Sequence, residues 1–348
     1  MVAASGAGAP GTSGPAGRSG AGRESGADPA ESPAVPDGSV PRVSGESDEG
    51  AAVDLVRART ALLTPPPGAR RLGPAALREA LVELHDFWLA TRAAAVGVGE
   101  ETGTALVAVG ALGRRELAPW SDLDLVLVHD GKGKQKGGRN DPPGEVARIA
   151  DALWYPLWDA GIGLDHSVRT VGEAVGVATE DLRVALGLLE VRLLAGDAEL
   201  AERLSTSARQ AWRAGMRGRF DELVETTRGR WQRSGEVAHR VEPDLKNGRG
   251  GLRDVQLLNA LAIAQLADGY PSRALSSPMG TLGDAHLSLL NVRTELHRVS
   301  RKGREMLLAQ FADEIGAALH IGDRFDLARV LSDAARTISY YVDAGLRT

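Results

Sequence analysis

Two aspartates one residue apart, Asp122 and Asp124, open an apolar run that continues Leu125-Val126-Leu127-Val128. If the run is a strand, successive side chains alternate between its faces. Both carboxylates then project from one side, roughly 7 Å apart at the backbone. Such a pair suits a hard divalent cation, Mg²⁺ or Mn²⁺, which takes a few carboxylate oxygens and keeps positions open for nucleotide phosphates. Leu123, Leu125 and Leu127 face the other way, into a core. Just upstream, Gly110-Ala111-Leu112-Gly113-Arg114-Arg115-Glu116 follows another apolar run, Ala105-Leu106-Val107-Ala108-Val109. A strand ending in glycines can bring backbone N–H groups close to a phosphate, because no Cβ obstructs the approach. Arg114, Arg115 and Ser121 add charge and hydrogen bonds for the same phosphates. Either half alone is a weak signal: Asp-x-Asp is common on strands, and Gly-x-x-Gly is more often a tight turn than a phosphate cradle. The order strand, glycine turn, polar segment, Ser-Asp-x-Asp, strand is far more selective.

A second constellation is Glu242-Pro243-Asp244-Leu245-Lys246-Asn247-Gly248-Arg249-Gly250-Gly251-Leu252-Arg253-Asp254. It reads as a glycine-rich loop leading into a helix from about residue 252. Glycines and cations near a helix N-terminus make an anion site, which would draw on Lys246, Arg249 and Arg253. The same segment reads equally well as an interdomain turn in which Arg253 and Asp254 make structural ion pairs.

Supporting elements follow from periodicity. Leu77, Leu81, Leu84 and Trp88 recur at helical spacing and predict a helix over about 74–95. The two apolar runs around the glycines predict strands. Val146, Ile149, Leu153 and Leu157 predict a helix kinked or ended near Pro156. Residues 161–170 predict a third strand, and the pattern beyond 176 is predominantly helical. Residues 130–144, with Lys132, Lys134, Lys136 and Arg139, read as a solvated surface loop. Residues 1–50 are rich in Gly, Ala, Ser and Pro, and cannot bury enough apolar surface to offset their ordering entropy. The resulting division is a disordered tail over 1–60, a catalytic domain over 61–175 and a helical domain over 176–348.

Composition limits the function classes. The formal net charge of -5 leaves no global field to collect nucleic acid. Cysteine is absent, which excludes disulfides, thiolate zinc sites and cysteine nucleophiles. No apolar run approaches the roughly 20 residues that span a bilayer, and the N-terminus lacks the pattern of a signal peptide. A cytoplasmic protein, bound to neither membrane nor nucleic acid, is expected.

The Gly110–Asp124 unit resembles the nucleotidyltransferase superfamily that includes DNA polymerase β. The fold class implied is α+β: a small mixed sheet with helices, then an all-helical domain. Ala111 stands where the superfamily usually has serine, which removes one hydroxyl contact to phosphate. The superfamily carries a third metal-binding carboxylate on a neighbouring strand. By that resemblance Asp165 joins Asp122 and Asp124; read on its own it is equally a strand-edge aspartate. The implied reaction is in-line attack on the α-phosphorus of a nucleoside triphosphate, with pyrophosphate leaving.

The Glu242–Asp254 segment is similar to a signature of the bacterial PII uridylyltransferase/uridylyl-removing enzymes. Leu157-Trp158-Asp159-Ala160-Gly161 with His166-Ser167-Val168-Arg169-Thr170, and Leu188-Leu189-Glu190-Val191-Arg192, also resemble that family, over roughly residues 70–348. The resemblance implies transfer of UMP from UTP, or AMP from ATP, to a tyrosine of the PII signal protein. Family members continue into an HD phosphohydrolase domain and two ACT domains. Removal of the nucleotide and glutamine sensing are therefore expected to be absent from these residues. His85-Asp86 is expected on a surface helix face and does not replace the HD site. A catalytically inactive PII-docking module is the alternative.

Overall fold

A computed structural model describes residues 48–65, 68, 71–132, 144–266 and 281–347. The tail over 1–47, and Lys134, Lys136 and Arg139, lie outside the described residues. The chain from Asp48 onward runs α1 (Asp48–Leu63), α2 (Pro74–Val96), β1 (Thr104–Ala108), α3 (Gly110–Gly113), β2 (Leu123–His129), α4 (Gly144–Asp159) and β3 (Leu164–Thr170). It continues through α5 (Val171–Glu180), α6 (Leu182–Leu188), β4 (Arg192–Gly196), α7 (Ala198–Gly215) and α8 (Phe220–Ser234). The remaining helices are α9 (Leu252–Ile263), α10 (Thr281–Ser300), α11 (Ala309–Ala318) and α12 (Arg324–Gly345). The sheet has the order β3-β2-β1-β4. β1 is antiparallel to both its neighbours, while β2 and β3 run parallel.

Period-two alternation divides the sheet between two cores. Leu106, Ala108, Leu123, Leu125 and Leu127 pack with Leu77, Leu81 and Leu89 of α2 and with Ile149 and Leu153 of α4. Ala105, Val107, Val126 and Val128 face the opposite way and join a core built from the helices that follow β3. The helical region therefore lies directly on the sheet face that also carries Asp124. Burying a side chain of this size stabilises by roughly 1.5–3 kcal/mol, so both layers contribute to holding the sheet.

Three expectations need correction. Composition assigns residues 1–60 to the tail, yet Asp48–Leu63 is helical and Ala52 and Leu55 are buried. An apolar stripe with a surface to cover outweighs the polar composition around it. The region beyond 175 is expected to be all helical, but Arg192–Gly196 supplies β4, paired with β1. Pro156 lies in the last turn of α4, which ends at Asp159, close to where a kink or an end is expected. Proline has no N–H for the carbonyl four residues back; Arg92 donates to that carbonyl, Ala152 O, through Nε at 3.0 Å and Nη2 at 2.9 Å. Finally, His85 is not on a surface face. It is buried, with Nδ1 2.6 Å from Leu81 O.

Candidate active site

A cleft of about 1050 Å³ opens where the glycine turn, the ends of β2 and β3 and the Glu242–Asp254 loop meet. Asp122, Asp124, Asp165, Ser121, Gly110, Arg114, Lys246 and Arg253 all line it. Sequence-distant parts of the reading are thus brought together by the helical layer docking on the sheet.

Asp124 is seated by the turn before it. The Val109 N–H donates to Asp124 O at 3.0 Å. The Ala111 N–H donates to the Asp124 carboxylate. Gly110 has a φ of +58°, and a Cβ there would overlap Asp124 Oδ2. The glycine is required to house this carboxylate, so the absent side chain serves the aspartate directly. Gly163 does the same for Asp122, whose Oδ1 fills the space a Cβ would take. Asp165 lies in register with Asp124 on the adjacent parallel strand. Burial raises the pKa of Asp124, and the charge of Asp165 raises it further, against the Ala111 N–H, Lys246 and Arg114.

Among the described residues no three carboxylate, imidazole or thiol side chains close around a point tightly enough to hold a metal unaided. The donors nonetheless fit a hard divalent cation. They are hard oxygens, two of them repel each other across one strand spacing, and Mg²⁺ completes its shell with water and phosphate rather than an all-protein cage.

Arg114, Lys246 and Arg293 are individually anchored. Arg114 Nε donates to Glu116 Oε2 at 2.8 Å, and His286 Nε2 lies 3.2 Å from Glu116 Oε1. Burial opposes the charge of Glu116, but His286 and Arg114 bring its pKa to about 2. Lys246 Nζ donates to Glu305 Oε1 at 3.3 Å. Arg293 grips Glu305 with Nε and Nη2, both at 2.7 Å, and extends Nη2 to Ser121 Oγ at 3.2 Å. Glu305 is likewise held at about 2 despite burial, first by Arg293 and then by Lys246. Among the described residues the Arg253 guanidinium donates to no other group. Burial lowers its pKa, with Arg230 adding to the effect. An unpaired guanidinium in a cleft is an anion receptor.

Two expected nucleotide contacts belong elsewhere. Arg115, with a φ of +60°, turns away from the cleft and pairs with Glu79 and Asp86 of α2. Gly113 is absent from the cleft wall: a Cβ there would collide with Glu190 O and come within 3.1 Å of Ala108 O. It permits close packing. The two readings of the Glu242–Asp254 loop divide between its residues. Asp254 is fully buried and accepts from Arg230 Nη2 at 2.6 Å, Gly250 N at 2.7 Å and Trp231 Nε1 at 3.0 Å. Arg249 Nη2 donates to both oxygens of Asp343, at 2.8 and 3.0 Å, and the guanidinium lies over the Trp231 ring. Those contacts are structural, while Lys246 and Arg253 face the cleft.

Residues 218–343 match the family model described as GlnD PII-uridylyltransferase. A bifunctional uridylyltransferase/uridylyl-removing enzyme of Mycobacterium tuberculosis (strain H37Rv) is 56% identical over 299 residues, covering 86% of this chain and 36% of that relative. The chain belongs to the PII-uridylyltransferase family. Relatives of the same name in Streptomyces coelicolor and Corynebacterium glutamicum are 43% and 41% identical, over 87% and 71% of this chain and 34% and 32% of their own lengths. The chain thus spans about a third of the length of the curated relatives it matches. A match of 299 residues in a chain of 348 necessarily contains the segment from Gly110 to Asp165. Within this family member, sequence reading missed Arg293 and Glu305. Nothing in their local spacing marks them, and their role comes from a contact with Ser121 across 172 residues of chain. Glu190 and Arg192 were legible only as part of the Leu188–Arg192 resemblance. Arg192 donates to both oxygens of Asp86, at 2.7 and 2.9 Å, and to Leu112 O at 2.9 Å, tying β4 to α2 and α3. Among the described residues no helix is long and apolar enough to cross a membrane.

Proposed function

We propose that the chain transfers UMP from UTP to a tyrosine hydroxyl of a PII signal protein and releases pyrophosphate. The observation that carries this reading is the in-register pair Asp124 and Asp165, flanked in one cleft by Arg114, Lys246 and Arg253. Asp122, Asp124 and Asp165 would hold Mg²⁺, which when bound neutralises phosphate charge and lowers the barrier to attack at phosphorus. Arg114, Lys246 and Arg253 bind the triphosphate and stabilise the charge that builds on the departing pyrophosphate. Asp165, exposed at the sheet edge, takes the proton of the attacking hydroxyl. The new bond joins that oxygen to the α-phosphorus, and the bond from the α-phosphorus to the bridging oxygen of pyrophosphate breaks. Uracil as the base follows the names of the relatives.

The test is incubation of the purified chain with Mg²⁺, a PII protein, and labelled UTP or ATP in parallel. Label on PII from UTP, lost in Asp124→Ala, is expected. A folded chain that labels PII from neither nucleotide would overturn the reading, and label from ATP alone would overturn the choice of base.

A further inference from the structure

Among the described residues β3 is an edge strand, and its outer side runs beside the candidate carboxylates. In a parallel pair each residue turns its N–H and C=O to the same side, alternately toward and away from the partner strand. The Leu123 N–H donates to Gly163 O at 2.8 Å, which sets the phase. Gly163, Asp165, Ser167 and Arg169 turn their backbone groups toward β2. Leu164, His166 and Val168 turn theirs outward. Among the described residues none of these three N–H groups or three carbonyls has a hydrogen-bond partner. The free ladder ends at Thr170, whose outward N–H is taken by Glu173 Oε2 at 2.8 Å in the capping box of α5. Native sheets usually blunt such an edge with proline, a bulge or charged side chains, lysine above all; β3 has no proline or lysine, its register with β2 is unbroken, and its charged residues, Asp165 and Arg169, face the cleft.

The side chains give the two faces of this edge different characters. Asp165, Ser167 and Arg169 line the cleft. On the opposite face His166 packs against Trp154 and Trp158, with ring centroids 5.1 Å away in each case. Trp158 and Tyr155 meet edge to face and remain 44% and 56% exposed. An aromatic surface is thus open next to a ladder of unpaired backbone groups.

We propose that the acceptor protein docks here, adding an extended hydroxyl-bearing segment as a further strand beside β3. This rests on the reading that the transfer is to a protein hydroxyl. An added strand lies about 4.8 Å from β3. A residue paired opposite Asp165, with its side chain on the cleft face, therefore stands beside the carboxylate that receives its proton. Backbone pairing holds the segment whatever its sequence, and the neighbouring residue, pointing to the other face, meets Trp158 and Tyr155. The arrangement selects an acceptor by its capacity to extend and presents one side chain in two to the chemistry.

Val168→Pro tests the ladder. The outward N–H is removed and the ring occupies its space, while the bonds from Ser167 and Arg169 to β2 remain. Proline is tolerated on edge strands, and Ser167 before it is already extended. The KM for the acceptor protein should rise about fivefold to tenfold, the worth of one hydrogen bond, with the Kd for UTP unchanged. In the wild-type chain, the His166 and Val168 amides should exchange more slowly when the acceptor protein is saturating. The proposal is overturned if wild type transfers, the proline variant is folded with an unchanged KM, and the two amides exchange as before. Should the variant unfold, or wild type fail to transfer at all, amide exchange in the wild-type chain decides the docking; failure to transfer defeats the reaction, not the docking. Protection that appears without acceptor and grows with chain concentration would assign the edge to a second copy of this chain and overturn the proposal.

Discussion

Asp124 and Asp165 stand opposite each other, in register, on the parallel strands β2 and β3. The like charges raise the proton affinity of Asp124 beyond what burial does alone. Asp124→Asn removes that repulsion, so the fold should keep its stability or gain slightly, while transfer is lost. Asp122→Ala should also abolish transfer, and Asp165→Asn should slow it about 10²- to 10⁴-fold, the range for a positioned acid or base. Labelling assays beside urea unfolding curves check both halves. An Asp165→Asn enzyme running near the wild-type rate would remove Asp165 from the catalytic set.

Gly110→Ala should be more damaging than its size implies. The alanine must adopt a φ of +58° and place a Cβ where Asp124 Oδ2 sits. The strain costs about 1–2 kcal/mol. Displacing the carboxylate by an ångström costs about a hundredfold in rate. Transfer measured on a sample shown to be folded by circular dichroism checks this, and retained activity would contradict the seating of Asp124.

Arg114 and Arg115 are adjacent in sequence and opposite in role. Arg114→Ala should raise the KM for UTP with little change in stability beyond the loss of its Glu116 contact. Arg115→Ala should leave the KM unchanged and cost at most about 1 kcal/mol, as expected of exposed pairs. Steady-state kinetics on the two variants side by side is the discriminating measurement.

Arg293 is buried and serves Ser121 and Glu305 together. Arg293→Met leaves the Glu305 carboxylate short of its main partner, so stability should fall by about 3–5 kcal/mol. Arg293→Lys keeps the charge but not the fork, and should raise the KM for UTP by loosening Lys246, with a smaller loss of stability. Unchanged kinetics in a folded lysine variant would limit Arg293 to a structural role.

Three groups, His297 buried and Glu116 and Glu305 partly so, act together in acid. Glu116 and Glu305 sit at about 2, against an ordinary 4.5, so their contribution to stability is complete above 4.5 and is lost as pH falls toward 2. His297 is lowered by burial, and then by Arg293, to about 3 from 6.5. The unfolded chain takes up that proton below 6.5 while the folded chain resists it, so stability falls in the same direction. Urea midpoints should therefore decline steadily below pH 6.5. His297→Gln should reduce the slope between 6.5 and 4.5, to which His85, also lowered by burial, contributes as well, and an unaltered slope there would exclude His297 as a source.

Local pattern carried much of this fold. The apolar runs at 105–109 and 122–128 are β1 and β2 within a residue or two, and Leu77, Leu81 and Leu84 mark α2. What pattern could not convey was destination. Arg114 and Arg115 look alike until α2 arrives with Glu79 and Asp86, and Gly110 looks like a phosphate cradle until Asp124 is built beside it. Leu193-Leu194-Ala195 has the composition of a helix and becomes a strand only because β1 offers an edge to pair with. Asp254 and Arg253 are neighbours whose environments, one fully buried and paired, the other unpaired in a cleft, depend on α8 lying behind the loop.

The pairing of β4 with β1 also bears on synthesis at the ribosome. β1, β2, α4 and β3 emerge first, but the strand that closes the second edge of β1 comes only after α5 and α6. Until then a fully buried apolar strand has an unpaired side, the kind of edge that chaperones bind and that nascent chains share with one another. A chain cut at residue 175 would preserve that vulnerable state permanently, so the shortest form of the sheet in which β1 is paired on both sides must extend through Gly196.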